Sequence, residues 1–131
     1  MSDDHAVTVG AGSLRPDAPD ALALPHRWTT AGMRATPAPT GAHLLHLAVA
    51  ACVLNDLYRE AGALGVTLDG AAVEARGGFD PGTWASTGVT YTVRCDTTAP
   101  DDVVTRLLAA VDAVAEIPRA LRQGVPVTRG A

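Results

Sequence analysis

Residues 41–65, GAHLLHLAVAACVLNDLYREAGALG, contain the longest apolar run in the chain, and any fold open to this sequence has to bury it. Leu44, Leu45, Leu47, Ala48, Val49, Ala51 and Cys52 are apolar almost all round a helix, a pattern that belongs in a core or an interface. Leu54, Leu57 and Ala61 then narrow the apolar face, while Asn55, Asp56, Arg59 and Glu60 are expected to turn outward. Thr40 suits the N-cap, Pro37 and Pro39 forbid helix upstream, and Gly62 and Gly65 offer stops. The all-apolar part is shorter than the roughly 20 residues a membrane span needs, and it ends in charges. The segment therefore reads as the central buried helix of a soluble domain.

The rest of the chain is consistent with one domain over residues 1–131, residues 1–4 forming a disordered tip. Apolar residues make up 47%, enough for a real core and against disorder. Net charge is -4 with no basic cluster, which argues against nucleic acid and anionic membranes as partners. The start, MSDDH, is acidic and lacks the apolar stretch of a secretory leader. Two cysteines without such a leader point to reduced thiols in the cytoplasm.

Strands are expected at His5 to Val9, at Ala21 to Trp28 with a break at Pro25, on both sides of an Asp69-Gly70 turn within Val66 to Phe79, and at Val89 to Cys95. The last alternates most clearly. The loop 10–20 is dense in Gly, Pro and Asp, and residues 31–40 read as a flexible lead-in to the long helix. A second helix starts at Pro100, with Asp101 and Asp102 complementing its dipole. Pro118 interrupts its pattern, a short helical turn follows to Arg122, and Val125 to Val127 suits an edge strand. Strands, long helix, strands and helix in this order describe an α+β fold, an antiparallel sheet packed on helices.

Cys52 is the most informative side chain. Free cysteine is most often a small buried hydrophobe. In mid-helix, with Asp56 one turn on, a reactive thiolate needs a cation from elsewhere in the fold. Cys95 closes the inward row of its strand and reads as core or as a strand-end thiol. Nothing in the spacing supports a disulfide between the two. His43 and His46 share a helix face but lack a third ligand, so no metal site is implied. They lie roughly 180° and 120° round the helix from Cys52, so neither is a natural base for it within one chain. His5 and His26 have no evident partners. Phosphate-cradling glycine loops, a serine nucleophile elbow and CxxC are absent from the sequence.

The element order and several strings resemble the OsmC/Ohr family (osmotically inducible protein C and organic hydroperoxide resistance protein). The likeness runs from about His5 to the end. It is carried by the Leu- and Ala-rich helix reaching Ala50-Ala51-Cys52, by REAGALGVTLDGAAVEARGGF, and by EIPRALRQGVPV. It implies an intertwined homodimer of α+β subunits with active sites at the interface. It also implies reduction of organic hydroperoxides by a helix cysteine, which becomes a sulfenic acid and is resolved by a second cysteine in a "CP" turn. An arginine from an N-terminal loop, held by a glutamate, stabilises the thiolate in that family.

Carried over by position, Cys52 matches the peroxidatic cysteine. The "CP" turn falls at Ile117-Pro118, so Ile117 replaces the resolving cysteine, and the family glutamate falls at or near Ala42. Arg15 matches the arginine, with Arg27 and Arg34 as other candidates. Leu45, Val49, Ile117 and His46 are the expected substrate-binding residues. No metal, flavin or nucleotide cofactor is implied. Three readings stay open: a one-Cys thiol peroxidase recycled by an external thiol or by Cys95, a repurposed enzyme acting on a small apolar molecule in the interface pocket, and a silent binding protein.

Overall fold

The structure is a computed structural model that describes residues 4–131. Its elements are β1 (Val7–Gly12), β2 (Leu22–Leu24), β3 (Met33–Ala35), α1 (Gly41–Ala63), β4 (Gly70–Arg76), β5 (Thr90–Asp96), α2 (Asp101–Val114) and α3 (Glu116–Gln123). One antiparallel sheet runs in the order β2-β3-β1-β4-β5. The long helix α1 lies on β1 and β4, and α2 and α3 pack against α1 in turn. This is an α+β fold.

The ends of α1 follow from local chemistry. Thr40 is extended and its side chain accepts the His43 backbone N–H, capping the first turn. At the other end Val66 N–H reaches Ala61 O at 2.8 Å and Gly65 N–H reaches Gly62 O at 3.2 Å. That pairing is a Schellman stop, and it needs the left-handed φ of +69° that Gly65 supplies. The stop leaves 66–69 as a connector, not the expected first strand, and β4 begins only at Gly70.

The core is the register of the two central strands read against α1. Val7, Val9 and Ala11 of β1 sit opposite Ala75, Val73 and Ala71 of β4, all buried. Leu54 and Leu57 of α1 close over them at 0% exposure, and burying each leucine stabilises the fold by about 1.5–3 kcal/mol. By length and composition alone α1, with a mean hydropathy of 1.2, passes for a membrane span. Its packing between sheet and helices accounts for that composition as a core helix.

Several boundaries differ from the sequence reading. Met33–Ala35 is a strand, not a flexible lead-in: it pairs with both β1 and β2, and Met33 and Ala35 fill the sheet face beside Ala11 and Val9. The strand expected over 21–28 shrinks to Leu22–Leu24, and β1 reaches Gly12. Pro118 lies inside the first turn of α3, where its missing N–H costs no helical bond. Residues 125–127 follow α3 as exposed coil with no ladder partner among the described residues. Of the expected tip over 1–4, residues 1–3 lie outside the described residues. Asp4 is held: its carbonyl accepts from Gly77 N–H at 2.7 Å and its carboxylate pairs with Arg76 at 2.8 Å.

Candidate functional site

The α2–α3 joint determines what Cys52 meets. Ala115, fully buried and extended (φ −60°, ψ 119°), is the whole linker between the two helices. The chain turns there, and the first backbone N–H groups of α3 face α1. Ile117 N–H donates to Cys52 Sγ at 3.5 Å. Cys52 thus sits half-buried at the positive end of a short helix, an arrangement that favours a thiolate.

Other groups oppose ionisation. Burial is the largest influence on Cys52 and raises its pKa. The backbone N–H groups of Ile117 and Glu116 pull it down, while the carboxylates of Asp56 and Glu116 push it up. The net shift is upward, and no arginine is among the groups acting on the thiol. Asp56 is itself a correction to the sequence reading, which turned it outward. It is only 4% exposed, and Glu116 at the start of α3 lies close enough to act on its charge. Burial raises its pKa, and Arg59, 3.2 Å away, opposes the rise.

A cavity of about 660 Å³ lies near this joint, lined by Val49 and Pro118, the neighbours of Cys52 and Ile117, but not by Cys52 or Ile117 themselves. Leu45 and Val49 of α1 form one wall, and they stand at i−7 and i−3 from Cys52, on its side of the helix. Pro118 and Leu121 of α3 form another, and Val89 just before β5 with Tyr91 of β5 a third. A polar network completes it: the Tyr91 hydroxyl donates to Asp112 Oδ1, and Arg122 Nη2 donates to the same oxygen at 2.8 Å. Burial and the Asp112 carboxylate raise the Tyr91 pKa to about 12, so the phenol stays protonated, and the two donors hold the Asp112 pKa down.

The structure brings together Cys52 and Ile117, and it sets Leu45 and Val49 in the cavity wall. It does not bring the other expected residues to the thiol within one chain. Arg15 is exposed in the loop after β1, with Nη1 on Ala31 O at 3.4 Å. Arg34 donates to Ala18 O, and Arg27 stacks over Trp28 at 5.8 Å. His46 is fully buried toward the sheet: Nδ1 donates to His5 O at 2.9 Å, and its ring stacks on Phe79. His43 shares a 2.6 Å hydrogen bond with Thr40 Oγ1. Among the described residues no cluster of His, Cys, Asp and Glu has metal-holding geometry. Cys95 is a free thiol in β5, across from Ala71 and beside Tyr58, six residues along α1 from Cys52. Sequence reasoning missed the Tyr91–Asp112–Arg122 network, which joins three elements. Its one local signal was Asp112 and Arg122 on the two sides of the helix joint.

Comparison with known proteins follows the same lines. A family model described as OsmC-like protein matches residues 33–129. Among solved structures, an OsmC-like hydroperoxide resistance protein from Jannaschia sp. CCS1 has a similar fold. The TM-score is 0.63 at 16% identity, over 97% of this chain and 91% of that one. No curated protein matches the chain. Cys52, Ile117 and the polar network fall inside the matched segment, whereas Arg15 and Arg27 precede it.

Proposed function

The chain belongs to the OsmC-like family, and on that premise we propose that it reduces organic hydroperoxides with Cys52 as its single redox thiol. The observation that carries the reading is the Ile117 N–H on Cys52 Sγ, with Val49 and Pro118 next to them in the wall of a mostly apolar cavity. The sulfur attacks the outer peroxide oxygen and the O–O bond breaks. The thiol and ROOH become a sulfenic acid and ROH. Ile117 offers no thiol, so a low-molecular-weight thiol condenses with the sulfenic acid, releasing water. A second such thiol then frees Cys52 and leaves as the external disulfide. A cytoplasmic setting belongs to this reading, since such thiols are abundant there.

The groups of one chain hold Cys52 as a thiol, so the reaction needs a cation. Arg15, exposed on its loop, is the proposed source, delivered by a second copy in a homodimer. Support for pairing comes from α1 itself: Leu44, 53% exposed, and Ala48 leave an apolar stripe on the helix open to solvent. The alternative reading, a binding protein or a repurposed enzyme for a small apolar molecule, is favoured by the same raised thiol and by the cavity.

An intact-mass time course of reduced protein with stoichiometric tert-butyl hydroperoxide tests the proposal. Gain of one oxygen that is lost in Cys52→Ser, kept in Cys95→Ser and slowed in Arg15→Ala is the expected result. Wild-type protein whose Cys52 stays unmodified overturns it and leaves the binding alternative.

A further inference from the structure

The cavity lined by Val49 and Pro118 has a polar end that thiol chemistry does not use. The charged groups lining it are Asp112 and Arg122, and they cancel. Both donors in the network, the Tyr91 hydroxyl and Arg122 Nη2, converge on one oxygen of Asp112, Oδ1. Among the described residues no hydrogen bond reaches Oδ2. A carboxylate oxygen only accepts, and a guanidinium only donates. Beyond Asp112 Oδ1, Arg122 also interacts with the Tyr91 hydroxyl, its Nη1 reaches the Asp112 carbonyl only at 3.4 Å, and among the described residues its Nε makes no hydrogen bond. An open acceptor and an open donor thus stand next to each other, on two half-exposed side chains, on a cavity wall that is otherwise apolar apart from Ser86 and Thr90.

This pairing discriminates among ligand heads. A carboxylate would gain from Arg122 but would face the Asp112 charge, with nothing to give Oδ2. An ammonium would meet the reverse problem at Arg122. A hydroxyl or a primary amide satisfies both partners at once, donating to Oδ2 and accepting from Arg122. We propose that this cavity selects a neutral amphipathic molecule, its hydroxyl or amide head held by Asp112 and Arg122 and its apolar body lying along α1 toward Cys52. The Tyr91 hydroxyl acts as a positioning group, because it keeps Asp112 oriented together with Arg122. Resting on the reading of the cavity as the substrate site, the inference names the substrate class. The hydroperoxides turned over best carry a neutral polar end.

Binding of octanamide, 1-octanol and octanoate, measured by titration calorimetry on the full chain and on Cys52→Ser, tests it. The serine variant removes peroxide chemistry, so the result stands or falls apart from the peroxidase reading. Octanamide and 1-octanol are expected to bind ~10-fold tighter than octanoate, a difference of about 1.4 kcal/mol. Asp112→Asn is expected to shrink that preference to less than ~3-fold, by relieving the repulsion of octanoate. Arg122→Gln is expected to weaken octanamide while octane-1-thiol, which lacks a strong acceptor, is unaffected. Both substitutions lie at partly exposed side chains, and matching thermal melts show that each variant folds. Octanoate binding as well as octanamide, no binding by any of the probes, or an order of affinities unchanged in both variants overturns the proposal.

Discussion

Cys52 and Cys95 are alike in composition and burial and differ in what surrounds the sulfur. Both are half-buried free thiols, and burial raises the pKa of each. At Cys95 burial acts alone, on an edge strand that pairs with β4 and brings no backbone N–H to the sulfur. At Cys52 burial is opposed by backbone N–H groups at the start of α3 and reinforced by Asp56 and Glu116. The difference teaches that a thiol is made responsive by unspent backbone donors and by nearby charges. Exposure does not distinguish the two. A helix start aims such donors together at one point, as at Cys52, and none reaches the sulfur of Cys95.

The comparison breaks most visibly at the sulfur. Cys52→Ser is expected to slow peroxide consumption in the presence of dithiothreitol by ~1,000-fold or more, the scale of losing a nucleophile. Cys95→Ser should stay within ~3-fold of wild type, since no backbone N–H of a helix start acts on its sulfur. Equal losses in the two variants would erase the distinction. Next comes Ile117→Cys, which sets a second thiol where the Ile117 backbone already touches Cys52 Sγ at 3.5 Å. On oxidation by tert-butyl hydroperoxide it is expected to form a disulfide with Cys52, read as loss of a pair of hydrogens by mass and as a peptide pair after digestion. A pairing of the new thiol with Cys95 would refute the arrangement.

A finer test uses charge. Asp56 raises the Cys52 pKa, and Cys95 lacks that influence. Asp56→Asn should therefore move the iodoacetamide reaction of Cys52 to lower pH and leave that of Cys95 where it was, each followed by peptide mapping. The smallest expected effect lies on the Cys95 side, where Tyr58 packs edge-on against the buried His26 ring at 5.2 Å. Burial lowers the His26 pKa below its ordinary value of 6.5. Its folded-state value lies below the unfolded one, so its contribution to stability is present above that range and is lost as pH falls through the folded value. Urea midpoints should drop between pH 7.5 and pH 5 more in wild type than in His26→Gln. Parallel curves would remove His26 as the cause.

The elements bounded by local chemistry were legible. Thr40 caps α1 and Gly65 ends it as their side chains and φ preferences require, and the Tyr91–Cys95 alternation lies in β5. The short strands were not legible. Met33–Ala35 is extended because β1 and β2 flank it, and three residues carry too little pattern to announce that. Asp56 was misread for a similar reason: helical spacing puts it on a polar face, but the packed fold buries it. At the site, Cys52, Leu45, Val49 and the Ile117-Pro118 turn stood out in the sequence. The network of Tyr91, Asp112 and Arg122 did not, because its members are joined only by the packing of α2 and α3 beside β5.

By itself the sequence determined that a long apolar helix would be the centre of an α+β fold and that one cysteine would lie on it. Apolar periodicity, caps and glycine stops act within a few residues of each other, and a chain carries them wherever it goes. Only the tertiary structure decided what that cysteine meets. The N–H groups of α3 come from a segment 65 residues away, and the cavity wall and the burial of Asp56 likewise depend on packing between elements. Their effect on the sulfur depends on distance and desolvation, quantities that exist only once the helices have packed.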